Sequence, residues 1–199
     1  MAAIPAPATP RLIYLARHGE TDWNAAGRWQ GQSDVPLNDH GREQARALGE
    51  SLRSAGLCVI ASSDLSRARE TAQIVCDHLG VPLAYVDADL RERTFGIFEG
   101  LTRDECARLH PEAWRAWTED QTSPDGAETK AHLAARVTAA IGRAARRIDP
   151  AGAPLLLVTH GGALRAAIGT AIGAAPPPIA NGAVWRLEWA GAITRAERC

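Results

Sequence analysis

Short apolar runs and stretches of helical spacing take turns along this chain. Residues 12–16 (LIYLA) form a continuous apolar run after a proline-rich start, the pattern of a strand buried on both faces, and the run delivers Arg17, His18 and Gly19 at its far end. Ala45, Leu48, Leu52 and Ala55 recur at helical spacing behind Asn38, which can cap that helix, with Gly56 as its stop. Residues 57–61 read as a second buried strand. Leu65, Ala68, Ala72, Val75 and Leu79 are helical again, ended by Gly80 and Pro82, and a third short strand follows at 83–86.

The rhythm weakens between Phe95 and Thr129, where Trp114, Trp117 and several arginines precede a turn-forming Ser123-Pro124-Asp125-Gly126. This stretch, about 95–130, reads as an insertion, with one helix over 102–120. Leu133, Val137, Ile141, Ala144 and Ile148 restore a strong helix. A fourth buried strand at 155–158 (LLLV) then ends at Thr159-His160-Gly161-Gly162, and a helix over 163–172 follows. After a loop at prolines 176–178, alternation over Val184–Trp189 predicts a half-exposed edge strand with a short partner near Ile193. Alternating strands and helices predict an α/β fold: a three-layer α/β/α sandwich with a mainly parallel mixed sheet and a small helical insertion. In such sheets ligands collect at the carboxyl ends of strands, near a switch in strand order. Two predicted strands carry His-Gly at that end.

Composition bounds the rest. The 199 residues, 46% of them hydrophobic, suffice for one core, so residues 11–199 are expected to form a single domain behind a disordered tail at 1–10. A formal net charge of -1 gives no global field for nucleic acid or an anionic membrane, so neither partner is expected. Of 22 basic residues only Lys130 is a lysine; the remainder are arginines, whose planar forks suit phosphate. Four scattered cysteines, without a CxxC pair, read as free thiols in a reducing compartment. No signal-peptide pattern or membrane-length apolar run is visible, and a cytoplasmic protein is the expectation. His40, His78, His110 and His132 show no metal-ligand spacing, so neither a metal nor another cofactor is implied.

Arg17-His18-Gly19 alone is a short motif that chance supplies often. It continues, however, as Glu20-Thr21-Asp22-Trp23-Asn24. Further blocks follow at 62–72 (SSDLSRARETA), 90–100 (LRERTFGIFEG), 126–129 (GAET) and 158–165 (VTHGGALR). In these blocks and their order the chain resembles the histidine phosphatase superfamily, which includes the cofactor-dependent phosphoglycerate mutases. The resemblance implies a phosphohistidine intermediate on His18. It also implies a phosphate pocket of Arg17, Arg67 and His160 assisted by Asn24, and a proton donor at Glu92. Gln30 and Gly161 belong to the expected phosphate-binding set as well.

Elementary chemistry asks for the same residue types. A phosphate monoester is a dianion, and stabilising its transfer needs fixed cations and donors around the equatorial oxygens. An arginine on the first turn of a helix, as Arg67 would be, is by itself an ordinary solvated charge; its place at the end of the second strand makes it a ligand candidate. His160 stands between a strand and a helix N-terminus, where free N–H groups favour an anion. Glu92, between two arginines, reads equally as a surface ion pair, and the resemblance makes it the acid.

The mutase-like members differ at informative positions. Where they carry threonine this chain has Gln30, and where they continue Glu-Arg-His-Tyr it reads Glu92-Arg93-Thr94-Phe95. The expected activity is therefore that of a metal-independent phosphatase acting on a small phosphorylated metabolite. A phosphoglycerate mutase and a non-catalytic phospho-ligand module are the alternatives. Sugar phosphates, phosphoglycerate derivatives, nucleotide-loop precursors and phosphoserine all fit such a site; the resemblance implies that the helical insertion lies over the active site, which makes its Trp114, Trp117, Arg103, Arg108 and Arg115 candidates for choosing among them. Oligomeric state is open, a homodimer through the edge strand being the form the pattern allows.

Overall fold

The computed structural model describes residues 10–147, 152–174 and 176–199, which leaves residues 1–9 of the tail expected at 1–10, and the helical position Ile148, outside the described residues. Six strands form one mixed sheet in the order β3-β2-β4-β1-β5-β6. Strands β1 (Arg11–Arg17), β2 (Val59–Ser62), β3 (Leu83–Val86) and β4 (Leu155–Thr159) run parallel; β5 (Val184–Trp189) and β6 (Ile193–Arg198) are added antiparallel, each to its predecessor in that order.

Period-two alternation along the central strands divides the core into two layers. Ile13, Leu15, Leu155, Leu157 and Leu187 face one side, where α6 (Lys130–Arg147) and α7 (Gly161–Ile172) cover them with Val137, Ile141, Leu164 and Ile168. Ala16, Ile60, Leu156 and Val158 face the other, against Leu48, Ala68 and Val75 of α2 (Asp39–Ser51) and α3 (Ser66–Leu79). All of β4 is buried, which explains its uninterrupted apolar run. Fully burying each such leucine or isoleucine removes apolar surface worth about 1.5–3 kcal/mol.

Several expectations need correction. The predicted edge strand, β5, lies inside the sheet between β1 and β6, and its alternation arises because Arg186 and Glu188 pair across the antiparallel ladder with Glu197 and Arg195. The edge on that side is β6. The single helix expected over 102–120 is two, α4 (Arg103–Leu109) and α5 (Pro111–Thr118), because Pro111 has no N–H to continue the first and sits instead at the start of the second. Helix α2 ends at Ser51 rather than Gly56, and β2 starts two residues later than its apolar run, at Val59.

The order of strands places the site. Strand β4 lies between β2 and β1, with Arg17 opposite Thr159 in register, so His18 and His160 leave neighbouring strands at the same end. The His18 N–H donates to the Thr159 carbonyl at 2.9 Å. A short helix, α1 (Asp22–Ala25), capped reciprocally by Thr21 and Asn24, turns the chain back over that end. There the loop after β1 lies directly on the start of α2. A Cβ on Gly19 would stand 2.2 Å from the Gly41 carbonyl oxygen and one on Gly41 2.1 Å from that of Glu20, so only glycine fits at either position.

Candidate active site

At the carboxyl ends of β1, β2 and β4 a crevice of about 260 Å³ is lined by Arg17, His18, Asn24, Gln30, Arg67, Glu92 and Gly161, every residue expected from sequence to be catalytic or to bind phosphate except His160. His160 lies directly behind it. Its ring is T-shaped to that of His18 with centroids 5.0 Å apart, and it is fully buried.

His18 is 3% exposed and pinned in one tautomer. Its Nδ1 lies 2.6 Å from the Gly19 carbonyl oxygen, an acceptor, so Nδ1 carries the proton and Nε2 keeps its lone pair. Arg67 Nε donates to that Nε2 at 3.2 Å while its two terminal nitrogens donate to the carbonyls of Ser33 and Gly31 at 2.8 and 2.7 Å. A guanidinium held on three sides cannot swing away. Burial lowers the Arg67 pKa to about 10, against the opposing pull of Glu92, Asp34 and Glu99, so the group stays charged at neutral pH. Arg17 donates to the Ile179 carbonyl at 2.6 Å, and its Nε is buried without a partner. Both ring nitrogens of His160 are likewise buried and unbonded. Buried polar atoms without partners are uncommon; Arg17 on the crevice wall and the His160 ring behind it each hold an unspent N–H that an anion can take up.

Asn24 and Gln30 are oriented through their carbonyl oxygens. Asn24 Oδ1 accepts from the Thr21 N–H and from Asn181 Nδ2, and Gln30 Oε1 accepts from the Thr21 hydroxyl at 2.9 Å. Their amide nitrogens are the ends left to donate. Gly161 opens α7, whose N-cap is His160 without a side-chain cap bond. The next N–H, that of Gly162, is taken: it donates to Glu92 Oε2 at 2.7 Å, while the Arg93 N–H donates to Oε1 at 2.7 Å. A Cβ on Gly162 would lie 2.3 Å from Glu92 Oε1, so the carboxylate rests against a bare α-carbon. The helix N-terminus expected to serve an anion thus shares its donors with Glu92.

Supporting residues went unnoticed in the sequence. Arg136 donates to the carbonyls of Asp89, Arg91 and Glu92 at 2.8–2.9 Å and pairs with Glu128, clamping the turn that carries Glu92. One arginine in an arginine-rich helix gives no signal. Glu99 accepts from the N–H groups of Gln32, Ser33 and Phe95 and the hydroxyls of Ser33 and Thr94, tying the loop that anchors Arg67 to the segment after Glu92; these bonds hold its pKa down against burial. Asn181 donates to the carbonyls of His18 and Gly19. Trp117 lines the neighbouring cavity and Arg103 lies over Trp29, whereas Trp114 packs on Phe98 and Arg108 and Arg115 point to solvent. No group of three or more histidine, cysteine, aspartate or glutamate side chains that could hold a metal ion occurs among the described residues, and none of their helices is long and apolar enough to cross a membrane.

Both site histidines are pushed well below their ordinary pKa of 6.5, first by burial and then by Arg67 and Arg17, with each imidazole also near the other. A folded-state pKa below the unfolded one means that the unfolded chain binds more protons under mildly acidic conditions. Stability from these two groups is therefore complete above pH 6.5 and is lost as pH falls below it, towards their folded values. The slope approaches roughly 1.4 kcal/mol per pH unit for each histidine. The urea midpoint should drop between pH 7.5 and 5.5, and His18→Asn should lessen that dependence. A midpoint flat over this range would contradict neutral burial of both rings.

Known proteins resemble this chain in sequence and in fold. The family model described as histidine phosphatase superfamily (branch 1) matches residues 13–198. Phosphoglycerate mutase-like protein 4 of Arabidopsis thaliana is 41% identical over 157 residues, covering 77% of this chain and 67% of that protein. Among solved structures, mycobacterial glucosyl-3-phosphoglycerate phosphatase in complex with VO3 superimposes with a TM-score of 0.82 at 31% identity, covering 94% and 97% of the two chains. The YhfR protein of Bacillus stearothermophilus gives 0.83 at 32% identity, covering 92% and 93%. By sequence along nearly its whole length and by fold, this chain belongs to the histidine phosphatase superfamily.

Proposed function

We propose that the protein is a phosphatase that hydrolyses a small phosphomonoester in two steps through a phosphohistidine on His18. The observation that carries this reading is the His18 ring itself: neutral, lining the crevice, with Nδ1–H fixed on the Gly19 carbonyl and the Nε2 lone pair held by the Arg67 Nε–H, a donor that a phosphoryl group can take over. In the first step Nε2 attacks phosphorus and the P–O bond to the alcohol breaks, the alkoxide taking a proton from Glu92. The new imidazolium charge is met by the Gly19 carbonyl. In the second step Glu92 removes a proton from water as the water attacks phosphorus, the N–P bond breaks, and phosphate leaves with His18 neutral and Glu92 reloaded. Arg17, Arg67 and the single N–H of the neutral His160 ring are the donors for the equatorial oxygens, with the Arg67 Nε–H passing from His18 Nε2 to the phosphoryl group as Nε2 attacks.

Hydrolysis is favoured over mutase chemistry by Thr94 and Phe95. The Thr94 hydroxyl is spent on Glu99 at 2.9 Å and Phe95 packs on Trp29, so neither offers a proton-handling group beside Glu92. The protein should release phosphate from p-nitrophenyl phosphate in EDTA at an undiminished rate, since arginines occupy the place a metal takes in other phosphatases. Vanadate should compete with substrate. Activity lost in EDTA and restored by a divalent ion would overturn the reading. So would conversion of 3-phosphoglycerate to its 2-isomer faster than release of phosphate.

A further inference from the structure

The phosphate crevice does not end at Glu92. A second cavity, about 740 Å³, adjoins it, and the two have Trp29, Phe95, Gly162 and Arg165 in common as lining. That is the size of a pocket for a whole drug-like molecule, and far more room than a three-carbon acid fills. One wall is aromatic. Trp29, Phe95 and Trp117 pack on one another with centroids 4.6–6.1 Å apart, and the Trp29 indole N–H is buried and unbonded.

The remaining walls are cationic. Arg93, Arg165 and Lys130 line the cavity, and no acidic side chain does so among the described residues. Elsewhere on the molecule several arginines are neutralised: Arg28, Arg42, Arg91, Arg136 and Arg143 each have a carboxylate partner. Arg93 is buried and donates to neutral oxygens of Glu128 and Ser123 while its guanidinium lies 4.6 Å over the Trp117 ring. Arg165 donates only to the Pro176 carbonyl, and Lys130 only to the Gln121 amide oxygen. Three cations line one hollow, Arg93 within reach of the Glu128 and Glu92 charges and Arg165 and Lys130 with no carboxylate partner among the described residues, and in the proposed mechanism the transferred phosphate belongs to the other cavity, with Arg17 and Arg67.

We propose that this cavity receives the alcohol part of the substrate. That part is bulky, packs a ring against the aromatic wall of Trp29 and Trp117, and carries a second negative charge, a carboxylate or a further phosphate, against Arg165 and Lys130. The inference rests on the phosphatase reading and is separable from it. The native protein is assayed on 4′-carboxybiphenyl-4-yl phosphate, on its neutral 4′-carboxamide and on p-nitrophenyl phosphate. The two biphenyl esters match in size and nearly in leaving-group basicity, so their kcat/KM ratio reads the remote charge alone. A charge-assisted hydrogen bond predicts a ratio of about 10 or more, carried mainly by KM. Arg165→Gln and Lys130→Gln should each reduce that ratio several-fold, and together bring it to about 1.

A ratio near 1 in the native protein, or biphenyl esters that turn over far more slowly than p-nitrophenyl phosphate, overturns the inference and leaves the phosphatase reading standing. A high ratio that survives in the double variant overturns the assignment to these residues. No phosphate from any of the three esters overturns the proposed function itself.

Discussion

His18→Ala should abolish turnover of every phosphomonoester, with a fall of at least roughly 10⁴-fold, because the covalent route loses its only nucleophile. The neighbouring His160 cannot take over. Its ring meets that of His18 edge-on at 5.0 Å from behind the crevice, and no hydrogen bond orients either nitrogen as a base. Water in the space left by the imidazole would have to attack without an activated lone pair. Brief reaction with ³²P-labelled substrate and an alkaline quench should trap label on the native protein, stable to base and labile to acid, and none on the variant. Label that survives acid but is lost in base would place the phosphoryl group on another residue and remove His18 from this role.

Glu92→Ala should separate two leaving groups that share one pocket. An alkyl alkoxide must be protonated as its P–O bond breaks, so phosphohistidine formation from a sugar or glycerate phosphate should slow by about 10²- to 10⁴-fold. Nitrophenolate departs without help, and its first step should be nearly spared. Hydrolysis of the phosphohistidine, which needs a base for either substrate, then becomes limiting, and a burst of nitrophenolate precedes a slow steady state. Alanine is a better probe than glutamine, since both carboxylate oxygens accept backbone N–H groups and an amide would turn a donor against one of them. Equal losses for both substrates in a single turnover, without a burst, would exclude Glu92 as the acid. Nearby carboxylates are poor substitutes. Glu99 is spent on five donors, and Glu128 is engaged by Arg136 and His132, whose bonds hold it ionised.

How the sequence foretold this site can be read residue by residue. The apolar runs at β1 and β4 lead into His-Gly where the strands end: β4 is buried along its whole length, and in β1 the half-buried positions are Leu12 and Tyr14, apolar enough to keep the run unbroken between Arg11 and Arg17. Neighbouring strands then brought His18 and His160 together. Glu92 was legible only through the resemblance, because what fixes it is a contact with the Gly162 N–H across the sheet end, and no local pattern encodes it. Arg136, Glu99 and Asn181 act through backbone carbonyls and N–H groups of distant segments, so their roles existed nowhere in one dimension. The edge-strand expectation at β5 failed for a related reason. Period two with charges on one face marks a strand half in contact with solvent, whether or not another strand pairs with its side.

The position of β4 between β2 and β1 also governs when the molecule becomes active. Synthesis delivers β1 and β2 early, but their gap is filled only by a strand made after most of the chain. Closing so long a loop costs entropy before its contacts reward it, and sheets of such high contact order form slowly. Until then the nucleophile and its arginine can coexist on a nascent chain without the histidine behind them, beside two hydrophobic strand edges open to the wrong partner. Activity is accordingly the last property this chain acquires on refolding, and the interval before it is the period of greatest exposure to aggregation.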